Sequence, residues 1–236
     1  MRRRFETEAV HGGHIPDAET RSRGVPLYRT TSYLFRDTSH AADLFALKEE
    51  GNIYTRLGNP TQEVLENRMA ALEGGKAALA LASGTSAIFY TVINMCSAGD
   101  EIVSASNLYG GTYTMFDTIL PQFGITTRFV SINDPDSVSA AITDRTRCIF
   151  CETIGNPTLE VTDLEALAEI ARTRGLPLVV DSTFTTPYLL RPVEHGADIV
   201  VHSLTKWLGG HGTAIGGIVI DAGRYDWSSG RHPLYT

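Results

Sequence analysis

The sequence has little cysteine, no long hydrophobic run and no excess of positive charge, and each absence excludes a class of protein. Its 236 residues include three cysteines, Cys96, Cys148 and Cys151. An odd number of cysteines in a chain without a secretion signal argues against a disulfide framework. No apolar run approaches the roughly 18 residues that span a bilayer, and no apolar core follows the basic start Met-Arg-Arg-Arg. We therefore expect a cytoplasmic protein with no membrane partner.

Charge and composition narrow the possibilities further. The formal net charge is −7, whereas proteins that bind a phosphate backbone usually present a basic excess, so no nucleic-acid partner is expected. With 42% apolar and 20% charged residues, the chain is typical of a globular protein. It is long enough for one large core, or for a large domain with an appendage.

Two of the cysteines have the spacing of a redox motif. Cys148 and Cys151 lie in the segment RCIFCE, whose composition favours a β-strand. Residues three apart in a strand point to opposite faces of the sheet, so these two thiols would not face each other. We interpret both as small buried apolar side chains rather than as a redox pair.

Local signals mark two helices clearly. Asn59-Pro-Thr-Gln supplies an N-cap and a proline at the first helical position, and Gly74-Gly75 marks the end of that helix. The segment from Thr162 to Glu165 has the pattern of a capping box and opens a second amphipathic helix, which is expected to end at Gly175. Helical and strand patterns alternate from residue 60 onward, whereas residues 1–58 have weaker patterns and resemble an N-terminal arm.

Short apolar runs predict six strands. These are Glu101 to Ser104, Thr126 to Val130, Thr146 to Glu152, Leu178 to Asp181, Ile199 to His202 and Gly217 to Ile220. Strands separated by helices indicate an α/β fold with a mostly parallel sheet, in which ligands bind beyond the carboxyl ends of the strands. Asp181, Ser203 and Lys206 fall at or just after such ends.

Three features could carry chemistry, and each has a plainer alternative. The turn Ala82-Ser-Gly-Thr-Ser86 leads into an apolar helix and could hold a phosphate, or it could be a tight packing turn. Lys206 could be a Schiff-base lysine with a lowered pKa, or an ordinary solvated loop lysine. Asp181 could be a buried carboxylate that requires a cation, or the N-cap of the next segment. Spacing alone favours the plainer alternative for the turn and for Lys206, and it does not decide between the two for Asp181.

Longer motifs add a resemblance to a known family. The segments NIYTRLGNPT, ALEGGKAALALASGTSA, NLYGGTY, ETIGNPT, VVDSTF and HSLTKWLGGHG occur in family order. The sequence resembles the pyridoxal-phosphate (PLP) enzymes of Cys/Met metabolism, the transsulfuration group, and within it the O-acetylhomoserine sulfhydrylases. The resemblance implies a fold-type I large domain over residues 59–236, preceded by an arm over residues 1–58 that contributes to a subunit interface.

The resemblance also implies a role for individual residues. Lys206 corresponds to the lysine that forms a Schiff base with the cofactor aldehyde. Asp181 corresponds to the carboxylate that pairs with the pyridinium nitrogen, and Tyr109 to the tyrosine that stacks on the ring. Asn156 corresponds to a residue beside the ring hydroxyl. Lys206, Tyr109 and Asp181 are therefore the expected catalytic residues.

Further matching residues would hold the cofactor phosphate. Tyr54 and Arg56 correspond to a pair that reaches the phosphate of a neighbouring subunit, which implies a homodimer or homotetramer. Within the subunit, the matching phosphate ligands are Gly84, Thr85, Ser203 and Thr205. No metal is expected, because His11 and His14 in HGGH supply only two ligands.

The activity implied by the resemblance is γ-replacement on O-acetylhomoserine with sulfide or a thiol, which gives homocysteine or methionine and acetate. The alternatives are a methionine γ-lyase or a cystathionine γ-synthase or γ-lyase activity, or a PLP-domain fragment without catalysis. Gly111 occupies the position where the lyases usually have a cysteine, which favours the sulfhydrylases over the lyases. Family members continue beyond the equivalent of Thr236 into a smaller C-terminal domain with an arginine for the substrate carboxylate. We therefore expect the 236-residue chain to bind the cofactor without completing γ-replacement.

Overall fold

A seven-stranded sheet organises the residues that the computed structural model describes, which are 3–232 and 235. In chain order the strands are β1 (Ala77–Leu81), β2 (Glu101–Ala105), β3 (Thr126–Val130), β4 (Thr146–Glu152), β5 (Leu178–Asp181), β6 (Ile199–Ser203) and β7 (Gly217–Asp221). Their order across the sheet is β1-β7-β6-β5-β4-β2-β3. Strand β7 is antiparallel to both β1 and β6, and the other neighbouring strands are parallel to each other. The predicted α/β fold with a mostly parallel sheet is confirmed.

All the predicted strands are present, and β1 is the one that sequence reasoning missed. Its sequence, Ala-Ala-Leu-Ala-Leu, contains no β-branched or aromatic residue, and its residues are exposed or only partly buried. It pairs along its whole length with β7. This pairing supplies the backbone order that the local sequence does not favour strongly, and it places the turn after β1 beside the end of β6.

Helices connect the strands and cover the sheet. In chain order they are α1 (Phe5–His11), α2 (Thr38–Phe45), α3 (Pro60–Glu73), α4 (Gly84–Met95), α5 (Gly110–Thr114), α6 (Pro135–Ala141), α7 (Leu164–Thr173) and α8 (Thr186–Leu189). A π-helical segment, Met115–Ile119, and short 3₁₀ turns at Leu120–Phe123, Pro192–His195 and Trp227–Ser229 complete the description. Helices α3 and α4 lie on opposite faces, since adjacent residues of β6 contact them: His202 contacts Glu73 of α3, and Ser203 packs against Gly84 of α4.

Helix α3 begins and ends as predicted. The side chain of Asn59 accepts a hydrogen bond from the N–H of Thr61, Pro60 occupies the first helical position, and Gly74 ends the helix with a φ of 79°. Positive φ is easily adopted by glycine, which explains why the helix stops at this residue. The side chain of Gln62 takes no part in the cap: its Nε2 donates to the carboxylate of Glu66 on the next turn, at 2.8 Å.

The predicted capping box at Thr162 is wrong in its first residue. Helix α7 starts at Leu164, and its N-cap is Asp163, whose carboxylate accepts from the N–H of Ala166. Thr162 instead donates its hydroxyl hydrogen to the main-chain oxygen of Glu152, at 2.7 Å. A tertiary contact with β4 therefore takes the hydroxyl that the local pattern assigned to the helix.

The core lies on both faces of the central strands. Its largest fully buried side chains include Phe116 and Phe150, whose rings meet edge to face with centroids 4.9 Å apart. Cys148 and Cys151 are fully buried in β4 as free thiols, which confirms that they are small core residues. Burial raises the pKa of both thiols, so neither has the thiolate character of a redox cysteine.

Residues 3–58, called the arm below, contain two short helices, α1 and α2. Hydrogen bonds from Arg68 Nε to the main-chain oxygen of Gly12, at 2.8 Å, and from Asn59 Nδ2 to that of Tyr28, at 2.9 Å, join the arm to α3 and its N-cap, whereas the bridge between Ser32 and Tyr54 lies within the arm. No helix among the described residues combines the length and the apolar character required to cross a membrane.

Candidate cofactor site

A cleft of about 630 Å³ opens at the carboxyl ends of β4, β5 and β6. It brings together eight of the ten residues predicted for the site: Gly84, Thr85, Tyr109, Asn156, Asp181, Ser203, Thr205 and Lys206. Asp181 is the last residue of β5 and Ser203 is the last residue of β6. The predicted positions of these residues at strand ends are therefore correct.

One end of the cleft is formed by the start of α4. Ser83 caps the helix by accepting from the N–H of Ser86, at 3.0 Å. Within the described part of the chain, the N–H groups of Gly84 and Thr85 have no hydrogen-bond partner. A Cβ atom on Gly84 would lie 2.6 Å from the Cβ of Ser203, so only glycine allows this approach. Free N–H groups at the start of a twelve-residue helix form an anion site.

Two hydroxyl residues border the same end. Ser203 is anchored through its N–H, which donates to the hydroxyl oxygen of Thr183 at 2.8 Å, and its own hydroxyl has no partner among the described residues. The hydroxyl of Thr205 contacts both the N–H and the carbonyl oxygen of Gly216, each at 3.2 Å. Thr205 therefore also holds the glycine-rich loop against the turn that follows β6.

Asp181 lies partly buried at the floor of the cleft. Its carboxylate accepts from the N–H of Thr183 at 2.9 Å and so holds the turn after β5, but the next helix, α8, has Thr185 as its N-cap, so the alternative that Asp181 is an N-cap is wrong. Among the described residues, no cationic side chain forms an ion pair with it. Burial raises the pKa of the carboxyl, against the opposing effects of the Thr183 hydrogen bonds and of His202. The structure therefore presents a carboxylate that a bound cation would stabilise.

Lys206 lies in the turn that follows β6. Its N–H donates to the carbonyl oxygen of Ser203, and its own carbonyl accepts from Gly210, at 3.2 and 2.8 Å. It is the only lysine that lines the cleft, because the other two in the chain, Lys48 and Lys76, lie elsewhere. The main chain thus fixes the base of Lys206, which lines the cleft.

Tyr109 and Asn156 complete the predicted set from other loops. Tyr109 precedes α5 and is half exposed, with its ring against Gly111: a Cβ at position 111 would lie 2.6 Å from the ring. Asn156 precedes Pro157 in a cis peptide bond. Tyr109 lies in the loop after β2 and Asn156 in the loop after β4, so segments far apart in the sequence bring the two residues to the same cleft.

Sequence reasoning missed several residues of the cleft. The most informative is Glu152, which ends β4 as Asp181 ends β5, and which pairs with Asp181 in register. Its position after an apolar strand was the same signal that singled out Asp181. The other lining residues that were missed are Ser83, Ile88, Thr112, Ile154, Thr183, Phe184, Trp207, Gly210, Gly212 and Ile215.

Tyr54 and Arg56 do not line the cleft. Both are exposed, and the Arg56 guanidinium lies over the Tyr54 ring, 5.4 Å from its centroid. Arg56 forms no ion pair with any side chain whose position is described. The two residues thus form a small exposed pair on the arm, and their predicted contact with the phosphate of a neighbouring subunit stays a prediction.

Histidines are not part of the cleft either. His202 is fully buried on the opposite face of the sheet, where its Nε2 lies 2.5 Å from a carboxylate oxygen of Glu73. His11 ends α1 in the arm. Across residues 3–232 and 235, no cluster of three or more His, Cys, Asp or Glu residues is placed to bind a metal ion.

Comparison with known proteins identifies the family. The profile of the Cys/Met metabolism PLP-dependent enzymes matches residues 6–233. The chain belongs to this family. The resemblance seen in the sequence is therefore confirmed, and the predicted cofactor, pyridoxal phosphate, is the cofactor of the Cys/Met metabolism PLP-dependent enzymes.

Individual members of the family are similar along nearly the whole chain. An O-acetyl-L-homoserine sulfhydrylase from Leptospira meyeri is 56% identical over 231 residues, which is 98% of this chain and 52% of the relative. A homocysteine synthase from Schizosaccharomyces pombe is 54% identical over 235 residues, which is 98% of this chain and 55% of the relative. The chain thus spans about half the length of the curated relatives that it matches.

Solved structures of the family share the fold. A Campylobacter jejuni protein described as an O-acetylhomoserine (thiol)-lyase superposes with a TM-score of 0.91 at 42% identity, covering 94% of this chain and 55% of that one, and contains N'-pyridoxyl-lysine-5'-monophosphate. Cystathionine gamma-lyase from Lactobacillus plantarum, complexed with L-serine, superposes with a TM-score of 0.87 at 37% identity, covering 99% of this chain and 58% of that one.

Proposed function

We propose that residues 59–236 form the cofactor domain of a cytoplasmic PLP enzyme that carries out γ-replacement on O-acetylhomoserine. The observation that carries the proposal is the convergence of Lys206, Asp181 and the free N–H groups of Gly84 and Thr85 in one cleft. An amine, an unpaired carboxylate and an anion site match the aldehyde, the ring nitrogen and the phosphate of pyridoxal phosphate.

Different residues of the cleft would bind different parts of the cofactor. Gly84 and Thr85 would donate main-chain hydrogen bonds to the phosphate, and the Ser203 hydroxyl would add another. Asp181 would keep a positive charge on the ring nitrogen through a charge-assisted contact of about 1.5 to 3 kcal/mol. Tyr109 would stack on the ring. When bound there, pyridoxal phosphate supplies an electron sink for charge that develops at the substrate α-carbon.

Lys206 moves the protons of the proposed reaction. Its amine nitrogen would take the α proton of O-acetylhomoserine, return to the neutral form by passing that proton to the cofactor-bound substrate, and then take a β proton, which allows acetate to leave from the γ-carbon. Sulfide adds at the γ-carbon, the protons return to the β- and α-carbons, and homocysteine is released. A thiol in place of sulfide gives the corresponding thioether, such as methionine.

Elimination is the second candidate activity. The similarity to cystathionine gamma-lyase over nearly the whole chain favours it, because replacement and elimination use the same cofactor and the same lysine. Gly111 argues against elimination, because the lyases usually have a cysteine at this position and a Cβ there would lie 2.6 Å from the Tyr109 ring. Elimination would release ammonia and a 2-oxo acid, whereas replacement gives homocysteine.

Tyr54 and Arg56 support an assembly of at least two subunits. The pair is exposed on the arm and is not among the residues that line its own cleft, so we infer that it serves the phosphate of a neighbouring subunit. A C₂ dimer is the commonest closed arrangement. In a chimaera that adds the remaining half of the Leptospira meyeri relative, mixing Arg56→Ala subunits with Lys206→Ala subunits should restore activity that neither variant has alone. A cofactor-loaded monomer in sedimentation would contradict this assembly.

Cofactor binding and turnover are tested in sequence. The 236-residue chain mixed with pyridoxal phosphate should develop a visible absorption band that disappears on borohydride treatment, with the adduct on Lys206. Homocysteine formation from O-acetylhomoserine and sulfide is then assayed with this chain and with a chimaera that adds the remaining half of the Leptospira meyeri relative. Absence of the band would support the fragment without cofactor, and ammonia with a 2-oxo acid as the main products would support elimination.

A further inference from the structure

Glu152 is a buried carboxyl in the cleft to which the reaction above assigns no role. It is the last residue of β4, only 6% of its surface is exposed, and it lies beside Asp181 in the sheet. Its carboxylate oxygen Oε1 accepts a hydrogen bond from the main-chain N–H of Tyr109, at 2.8 Å. The contact joins residues 43 positions apart.

Tyr109 has few other anchors. It precedes the five-residue helix α5 without a side-chain cap, and about half of its surface is exposed. Its carbonyl oxygen accepts from the N–H of Tyr113 inside the same turn. Among the described hydrogen bonds, the bond to Glu152 is the one that joins the main chain of Tyr109 to the sheet.

We propose that Glu152 is a positioning residue of the cofactor site: its carboxyl oxygen holds the main chain of Tyr109 and thereby places the tyrosine ring over the cleft. This inference rests on the proposed function, since the ring has a ligand to stack on only if pyridoxal phosphate binds. Glu152 acts through Tyr109 as a hydrogen-bond acceptor, and its negative charge is not required.

The surroundings of Glu152 agree with a neutral acceptor. Burial, and then the neighbouring carboxyl of Asp181, raise the pKa of Glu152 to about 8, against hydrogen bonds from Tyr109 and Asn156. A protonated carboxyl still offers a carbonyl oxygen to the Tyr109 N–H. Glutamine presents the same oxygen at the same distance, whereas aspartate keeps the acid group but is one methylene shorter.

The test therefore compares Glu152→Gln with Glu152→Asp in the protein loaded with pyridoxal phosphate. E152Q should keep the dissociation constant of the cofactor within about twofold and should keep its visible circular dichroism. E152D should weaken binding about tenfold and lower the circular dichroism, as expected when a buried hydrogen bond is lost. Glu101→Gln, which changes a buried carboxyl at the other end of the sheet, is the matched control and should change neither quantity.

Amide hydrogen exchange provides a measurement that does not depend on the cofactor. In the cofactor-free protein, the peptide over residues 106–113 should exchange about tenfold faster in E152D than in wild type or E152Q. Wild-type exchange and circular dichroism in E152D would overturn the positioning role, and equal losses in E152Q and E152D would assign the role to the charge instead. If wild-type protein binds no pyridoxal phosphate, the proposed function fails while the exchange experiment still decides the role of Glu152.

Discussion

Buried carboxyl groups at the two ends of the sheet differ in the number of hydrogen-bond donors and cations around them. At the amino end, Glu101 is surrounded by donors: Arg128 Nε at 2.6 Å, the Thr143 hydroxyl at 2.8 Å, and the guanidinium of Arg145. At the carboxyl end, Glu152 and Asp181 lie side by side in the cleft, and neither forms an ion pair within the described part of the chain.

The pKa values follow from this difference. The hydrogen bond from Arg128 is the largest of the effects that lower the pKa of Glu101 to about 2, whereas burial is the largest of those that raise the pKa of Glu152 to about 8. A carboxylate with partners stabilises the fold, and a carboxyl without them is costly to ionise. The ion pairs of Glu101 at the amino end therefore stabilise the fold. Glu152 and Asp181 at the carboxyl end line the cleft without a cationic partner among the described residues.

The largest expected effect is at Lys206. Lys206→Ala, introduced into the chimaera with the added C-terminal half, should lower homocysteine formation about 10³-fold or more, because the amine proposed to bind the cofactor and to move protons is lost. Its thermal unfolding midpoint should stay close to that of wild type, since the side chain is exposed. Borohydride-reduced wild-type protein should carry the pyridoxyl group on Lys206, and a group found on Lys48 or Lys76 would refute the assignment.

Asp181→Asn should have the next largest effect, on activity alone. A neutral amide no longer holds the positive charge on the ring nitrogen, so we expect a loss of about 10²- to 10³-fold in kcat/KM. The cofactor-free variant should be at least as stable as wild type, because a buried carboxyl with a raised pKa has been removed. Turnover near the wild-type rate would show that the carboxylate has no such role.

Glu101→Gln should show the reverse pattern. Loss of the charge should lower the free energy of unfolding by about 1 to 2 kcal/mol at neutral pH, a small figure because both arginine partners are substantially exposed. The pKa of Glu101 is lowered, so its contribution is present above the usual value of 4.5 and is lost as the pH falls towards 2. Urea unfolding at several pH values should show this slope in wild type only, with cofactor binding unchanged in the variant.

Glu152→Gln should have the smallest effect on stability and one of opposite sign. Between pH 4.5 and about 8 the folded protein keeps a proton that the unfolded chain has lost, so wild-type stability falls as the pH rises. The same urea series on cofactor-free protein should show a flatter dependence in E152Q. A steeper dependence in the variant would contradict the assignment.

Much of the local structure could be predicted from the residues themselves. The apolar runs of the six predicted strands correspond to strands in the structure, and Asn59 and Gly74 mark the ends of α3 through capping and positive φ. Asp181 and Lys206 were located correctly because a polar residue after a buried strand is a local signal. Their roles came from the family resemblance, since spacing left the alternatives open.

Other features depend on which strands become neighbours. The antiparallel direction of β7, the pairing of β1 with it, and the contact between Gly84 and Ser203 follow from pairing between distant segments. Thr162 left its predicted cap for the same reason, and Glu152 could not be placed beside Asp181 without the sheet order. The conformational preferences of a few consecutive residues were enough to predict six of the strands, the ends of α3 and the polar residues at strand ends. Which of those polar residues meet depends on long-range strand pairing and on the burial that it produces, so it followed only from the folded arrangement.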